Sequence, residues 1–452
     1  MKMRYYSLKW PLLILSPFLL NAQQKVKLIT LDPGHFHAAL VQKSMYPEVD
    51  PTVHVYAEKG NDLQYHLDRI KGYNNRNDHP TKWNEVVYEG NDFFKKMIAE
   101  RKGNVVVLAG NNKLKTSYIL TAVQNGFNVF ADKPMAINTA GFEQLKKAFE
   151  ISKQKKLQLY DIMTERYEIT TVLQRALSME PSVFGTLQKG SIDNPSVTKE
   201  SVHHFYKYVS GSVLTRPAWF FDVTQEGEGI VDVTTHLVDL IQWECFPEKI
   251  IDYNKNVKIL NAKSWNTSLT QDDFKLVTKE KEIPVYLKNI LDKEGNLQVL
   301  CNGAFNYTIN GVHAKVSVNW NYKAPEGTGD THYSLMRGTK SSLIIRQGKE
   351  ENFKPTLYVE APANNELETP LLDAINKINK AYPGVSVKKN AKGWEVIIPD
   401  VFKESHETHF ARVTEKYLQY LQNNNMPSWE IPNMIAKYYT TTAARELANK
   451  KK

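Results

Sequence analysis

Phe127-Asn128-Val129-Phe130-Ala131-Asp132-Lys133-Pro134-Met135 is the stretch from which the fold can be worked out. Its apolar run, Val129 to Ala131, has the length of a buried strand and is stopped by a charged pair and a proline. Upstream, Asn104-Val105-Val106-Val107-Leu108-Ala109 is a second such strand. Between them Ser117 to Asn125 has helical spacing and closes on Gly126, a residue suited to the C′ position of a helix. Strand, helix, strand is a βαβ unit, and its right-handed crossover makes the strands parallel. The carboxyl ends of strands in open parallel sheets face the ligand crevice, so Asp132-Lys133-Pro134 lies where a ligand would be. Pro134 cannot donate to the ladder and pushes Lys133 towards extended geometry, which holds the lysine at the strand end. Taken alone, a solvated lysine in a strand-to-helix loop explains the same residues.

Towards the N-terminus, Lys25 to Leu31 is a first strand running into Asp32-Pro33-Gly34-His35-Phe36-His37, a tight turn that opens a helix. A Rossmann fold carries its glycine-rich phosphate turn here. Asp32 and His37 occupy the outer glycine positions and Gly34 keeps the middle one, so Gly34, His35 and Phe36 are candidate cofactor contacts. The next strand, Thr52 to Ala57, ends in Glu58, which is placed to accept from an adenosine ribose; a surface carboxylate is the equal alternative. Gly110-Asn111-Asn112 forms a loop over the cofactor path, Thr139 caps a helix reaching Lys153, and Leu157 to Tyr160 is another strand. These elements predict an N-terminal Rossmann-type parallel sheet in a dinucleotide-binding domain over residues 23–163.

From Gly185 the pattern changes to serial strands: Thr186 to Ile192, His203 to Tyr208, Gln298 to Cys301, Ala304 to Tyr307, His313 to Trp320 and Ser342 to Arg346. They predict a C-terminal α+β domain over 164–452, built on a mostly antiparallel sheet, for an α/β protein overall. Residues 254–293 and 356–398 read as insertions, and His406 to Gln422 and Ile431 to Lys450 as helices. Within this half Glu226-Gly227-Glu228-Gly229 leads into Ile230 to Trp243, where Asp232, His236 and Asp239 fall at i, i+4 and i+7 on one helical face. An acid one turn before a histidine can hold the imidazole and raise its basicity, as proton transfer requires. A satisfied Asp–His pair on a half-buried helix is the structural alternative.

Composition narrows the class. At 452 residues the chain exceeds one core, and a hydrophobic content of 42% with 24% charged residues is that of a globular protein. Three of the nine excess positive charges, Lys2, Arg4 and Lys9, sit in the first ten residues, and no basic run is interleaved with aromatics, which argues against a nucleic-acid partner. Met1 to Trp10, the apolar Pro11 to Leu20 and Leu20-Asn21-Ala22 have the layout of a signal peptide over 1–22, with an apolar segment too short for a membrane span. Export to a periplasm-like space follows as an expectation. Cys245 and Cys301 remain, to pair or to stay buried thiols. No histidine has a partner at metal-ligand spacing, so no metal is expected.

An Asp-Lys-Pro closing a Rossmann βαβ unit, followed some hundred residues later by a glycine-led Asp-x-x-x-His helix, resembles the Gfo/Idh/MocA oxidoreductases. The resemblance covers Val26 to about Ile251 well and the remainder loosely. It departs at the glycine turn and at Lys115, where many members carry a histidine. The resemblance implies NAD or NADP as cofactor, redox chemistry at a hydroxyl of a sugar, glycoside or cyclitol, and a small-molecule carbohydrate as partner. Matched residue by residue, Lys133 is the catalytic lysine, with Asp232 and His236 as the substrate and proton-relay pair. Asp132 joins Lys133 among the cofactor contacts. Lys133, desolvated beside a nicotinamide, is expected to have a lowered pKa. Two alternatives stay open. One is a redox-assisted glycoside hydrolase using transient oxidation and elimination, with His203, His204 or Tyr206 as base; the other is a non-catalytic sugar- or nucleotide-binding protein. An exposed face of the second sheet makes a homo-oligomer a further expectation.

Overall fold

The computed structural model describes residues 25–209, 212–362 and 366–450; the expected leader lies outside them. The first half alternates strand and helix in the order β1 (Leu28–Leu31), α1 (His37–Val41), β2 (Thr52–Ala57), α2 (Asn61–Asn75), β3 (Asn84–Glu89), α3 (Phe93–Glu100), β4 (Val105–Leu108), α4 (Asn112–Gln124), β5 (Asn128–Asp132), α5 (Thr139–Gln154) and β6 (Leu159–Ile162). The strands form one sheet in the order β3-β2-β1-β4-β5-β6, parallel throughout. Helices cover both faces, so β1, β4 and β6 are buried along their whole length, and β4 reads as an unbroken apolar run. Strand order reverses between β1 and β4, and that switch point opens the crevice at their carboxyl ends. Gly126 takes a positive φ just after α4, as a C′ residue should. The cap of α5 is Asn138 rather than Thr139, with Gly141 N–H donating to its side chain at 2.8 Å.

The second half runs α6 (Ile169–Ser178), β7 (Val197–Tyr206), a short hairpin β8 (Tyr208–Val209) and β9 (Ser212–Val213), α7 (Thr234–Cys245), α8 (Tyr253–Asn256), β10 (Val257–Leu269), α9 (Gln271–Thr278), β11 (Leu297–Ile309), β12 (Val312–Lys323), β13 (Thr331–Arg337), β14 (Ser342–Arg346), β15 (Thr356–Glu360), α10 (Glu368–Ile378), β16 (Ser386–Asn390), β17 (Gly393–Ile397), α11 (His406–Asn423) and α12 (Glu430–Asn449). Nine of these strands form a sheet in the order β10-β11-β12-β7-β13-β14-β15-β17-β16. Every neighbouring pair is antiparallel except β12 with β7.

Two expectations need correction, and one left open is settled. Residues 186–192 make only isolated bridges at Leu187 and Gly190, because Gly190 turns the chain back with a positive φ. The stretches 254–293 and 356–398 are not insertions, since β10, β15, β17 and β16 build the two edges of the large sheet. Edge strands carry polar residues on their open side, as Lys258, Lys263 and Lys388 do here, and this hides the apolar alternation. Cys245 and Cys301 are both free thiols.

Two packing features shape the site, one within the second half and one between the halves. Gly229, ahead of α7, rests on β11 so closely that a Cβ there would lie 1.6 Å from the Cys301 carbonyl oxygen. The tail helices pack back onto the first domain, with Phe410, Tyr417, Met434 and Tyr438 in its core. Ala436, Ala444 and Ala448 of the same tail belong to the core of the second domain.

Candidate active site

β5 ends by presenting Asp132 and Lys133 at the crevice, ahead of a cis Lys133–Pro134 peptide. The Lys133 ammonium donates to Asp232 Oδ1, so the strand end meets the glycine-led segment of the other domain. The expected Asp232–His236 pairing does not form. α7 begins only at Thr234, which leaves Asp232 in the preceding turn, turned to the lysine. His236 Nδ1 is buried without a hydrogen bond, and burial followed by the Lys133 charge holds its pKa down to about 3. Lys133 also departs from expectation. Burial pulls its pKa down, but Asp232, Asp132 and Glu226 outweigh burial and leave it above the ordinary lysine value.

Asp132 organises the other side of the crevice. Its Oδ2 accepts from His37 Nδ1 at 2.9 Å and His35 Nδ1 at 3.2 Å, and its Oδ1 accepts from the Lys133 backbone N–H at 2.9 Å. Burial alone would raise the carboxyl pKa; the two imidazoles overcome it and hold the group ionised, well below the usual range. An ionised carboxylate only accepts, so each imidazole donates from Nδ1. Burial likewise holds His35 down to about 4 and keeps both rings neutral. The three ligand-type atoms lie within 4.8 Å of one another, a set with metal-binding chemistry that no sequence spacing announced; here it is complete as a hydrogen-bonded trio. Lys115, buried beneath, donates to the Asp132 carbonyl at 3.2 Å.

Asn111 and Asn112, expected over the cofactor path, reach the second domain. Asn111 Nδ2 donates to Gln225 Oε1 at 2.7 Å, and Asn112 Nδ2 to the Glu226 carbonyl at 2.7 Å. They clamp the second domain onto the start of α4, while Gly110 sits against the first turn, where His35 N–H donates to the Ala109 carbonyl at 3.1 Å. Glu226 was not singled out in the sequence. Burial and the Asp232 charge push its carboxyl well up, with Lys133 and Lys115 opposing.

At the other end of the crevice Glu58 follows β2 and lines a cleft of about 310 Å³ with Asp32, Asp62 and Trp219. Trp219 Nε1 donates to Asp62 Oδ2 at 2.7 Å and lies over Gly34, where a Cβ would come within 3.0 Å of its ring. Phe36 packs against His35 and His37. Phe220 and Phe221 join Phe205 and Trp320 in a core cluster. An acceptor at the ribose end, a side-chain-free Gly34 turn and an ammonium at the far end fit a dinucleotide laid along the carboxyl ends of the strands.

Two further groups have partners that sequence does not reveal. Glu165 pairs with His406 at 3.4 Å, so the first turn of α11 reaches the site from the far end of the chain. His203 and His204 share Asp330, at 3.1 and 3.2 Å.

Two family models match: "Oxidoreductase family, NAD-binding Rossmann fold" over residues 48–160 and "Putative oxidoreductase C terminal domain" over 173–449. The chain belongs to the Gfo/Idh/MocA oxidoreductases. It is therefore an NAD(P)-dependent oxidoreductase. The first match begins after β1 and its turn, the place where this member departs from the glycine-rich pattern. A solved "putative oxidoreductase" from Parabacteroides merdae is 53% identical, with 95% of this chain and 99% of that chain covered and a TM-score of 0.93. Levoglucosan dehydrogenase, solved with NADH and levoglucosan, shares the fold at 14% identity, with 94% and 98% of the two chains covered and a TM-score of 0.58. So does a "putative myo-inositol dehydrogenase" from Sinorhizobium meliloti, at 12% identity, 95% and 98% coverage and a TM-score of 0.54. Among proteins of curated function none matches. Among the described residues of this oxidoreductase, no helix is long and apolar enough to cross a membrane.

Proposed function

We propose that this oxidoreductase acts on a hydroxyl of a sugar, glycoside or cyclitol, with Lys133 and His236 handling the proton. One observation carries the reading: an ammonium at the end of β5, paired with Asp232, beside a buried imidazole whose Nδ1 has no partner. A nicotinamide, when bound, supplies the hydride chemistry. The Lys133 ammonium donates to the substrate oxygen and stabilises the charge that develops as its proton leaves. Neutral His236 accepts that proton, and Asp232 fixes the direction of the ammonium. The fold shared with a levoglucosan dehydrogenase and a myo-inositol dehydrogenase supports a polyhydroxylated ring as substrate.

Lys133→Ala tests the roles. Turnover is expected to fall about 10²–10⁴-fold, while dinucleotide affinity stays within about twofold. Turnover equal to the wild type would overturn the assignment. One observation favours a second reading, the redox-assisted glycosidase: His406, held by Glu165, is a second base at the site. Oxidation of one hydroxyl acidifies a neighbouring C–H, the base removes that proton, and the glycosidic oxygen leaves with a proton; water then adds to the resulting double bond and the carbonyl is reduced again by the same hydride, so that no reduced cofactor accumulates. Incubating the same proteins with an aryl glycoside separates the two readings, since free aglycone without net NADH belongs only to the second.

A further inference from the structure

The chemistry at Lys133 and His236 leaves one proton to be disposed of. The substrate hydroxyl gives it to His236, and the burial and Lys133 charge that keep this imidazole neutral also prevent it from holding the proton for long. It has to move on before the next turnover. Lys133 is no outlet, since its ammonium is already protonated and paired with Asp232. Nor is Asp132, whose carboxylate is taken up by His35, His37 and the Lys133 N–H.

An outlet stands beside His236. The single helical turn Thr164–Tyr167, which follows β6, packs against both α7 and α11. It carries Glu165, whose Oε1 lies 3.4 Å from His406 Nδ1 at the start of α11. Burial would raise the Glu165 carboxyl; His406, His236 and His409 overcome it and hold the group ionised. The carboxylate therefore feels the proton acceptor on one side and a paired imidazole on the other. Both members of the pair are open to solvent, Glu165 at 36% and His406 at 45% of the side chain, whereas His236 Nδ1 is sealed and has no hydrogen-bond partner. A buried ring nitrogen of this kind bonds a water or a ligand, and one water carries a proton between groups that do not touch. His406 is also faced by His37 and His409, with ring centroids at 6.0 and 6.4 Å, and by Phe410 at 5.5 Å. His37 is committed to Asp132, and burial holds the His409 pKa down. Of these three imidazoles, only His406 combines a carboxylate partner with an open side.

We propose that Glu165 and His406 form the proton exit of the active site: His236 passes the substrate proton through a water to this pair, and His406 releases it to solvent. The substrate O–H breaks as an N–H forms on His236; that N–H breaks as an N–H forms on His406; the His406 proton then goes to bulk water, and both rings return to their starting state. Each hydroxyl oxidised thus releases one proton. Glu165 and His406 act through His236 and position the departing proton. The inference rests on the Lys133–His236 reading and goes beyond it by naming the route the proton takes and the tail helix that supplies it.

Oxidation of levoglucosan, myo-inositol and methyl β-glucoside by the full chain with NAD or NADP, in light and in heavy water, tests it. His406→Ala is expected to lower kcat about tenfold or more with KM within about twofold. Its solvent isotope effect should rise above that of the wild type, because the proton now limits the rate. Added imidazole should restore the turnover of the variant saturably and leave the wild type unchanged, a rescue that a merely structural lesion does not show. Glu165→Gln should shift the same quantities in the same direction, and His406→Gln repeats the measurement should His406→Ala fail to fold. Unaltered kcat in the His406 variants, or a loss that imidazole does not restore, would overturn the proposal. So would wild-type oxidation joined to lost aglycone release from an aryl glycoside, which would give His406 to the elimination instead. If the wild type oxidises none of the three compounds, or Lys133→Ala oxidises them as fast as the wild type, the reading of the site itself has failed; a loss in Lys133→Ala beside an unaltered His406→Ala fails only the inference.

Discussion

Asp232 stands between two candidate partners, Lys133 and His236, and takes the lysine. Both histidine and acid were legible from their four-residue spacing, and the lysine from the proline behind it. Their pairing was not, because the spacing argument assumes a helix through residue 232, whereas α7 starts two residues later. The consequence is chemical. Burial is the largest influence on Lys133 and lowers its pKa, and Asp232 is the largest of those that raise it. Asp232→Asn keeps the shape and removes the charge, so the ammonium should lose its proton at a lower pH. Because the protonated lysine is the form that stabilises the substrate oxygen, the alkaline limb of kcat/KM should move to lower pH in the variant. Profiles from pH 7 to 11 for the two proteins check this, and superimposed limbs would show that Asp232 does not set the lysine's charge. At the same scale, His37 stood in the sequence as a departure from a glycine turn and His35 as a candidate cofactor contact. Their common partner, Asp132, lies almost a hundred residues away.

At the scale of elements, the parallel strands were legible because burial on both faces makes them short unbroken apolar runs, as in Val105-Val106-Val107-Leu108. Edge strands of the large sheet were not, since one side of β10 and β16 faces water and carries lysines and asparagines. The glycines ahead of α7 could be read as a place of close approach, and Gly229 is one. Its missing Cβ is what lets the segment lie on β11, against the Cys301 carbonyl. Gly229→Ala places a methyl where backbone already stands, so the segment must lift off the strand. Overpacking of this kind costs about 1–3 kcal/mol. Asp232 lies three residues on, so turnover should fall together with stability, while nicotinamide-free binding of AMP at the distant Glu58 cleft should hold. Urea denaturation with parallel AMP titration measures both; a variant as stable and as active as the wild type would mean that the close approach has no role in placing Asp232.

At the scale of the molecule, the sequence spoke for two domains and was silent on what joins them. The joining contacts span distances no local pattern records: Asn112 to Glu226, Asp62 to Trp219, and above all the return of α12 to the first sheet. Lys437 of α12 is fully buried and pairs at 2.7 Å with both Asp161 at β6 and Asp239 on α7, one carboxylate from each domain. Asp239 in turn holds Arg166, which also reaches Glu430. In the sequence Asp239 looked like the third member of a catalytic face; in the structure it belongs to this buried network instead. Such a network binds the two cores into one cooperative unit, so thermal and denaturant unfolding are expected to show a single transition despite the two-domain layout. Lys437→Met retains the packing volume but leaves Asp161 and Asp239 without their shared cation. Breaking a buried pair by removing one partner costs about 3–5 kcal/mol. The unfolding free energy should therefore fall by that amount and the midpoint with it, the transition still single, because the methionine keeps α12 in both cores while each domain loses a contact. Tryptophan fluorescence and far-ultraviolet circular dichroism followed on one sample would detect a divergence. Two separated transitions in the wild type would place the coupling elsewhere than α12, whereas a split appearing only in the variant would mean that the charge, and not the apolar packing of the helix, is what makes the domains unfold together.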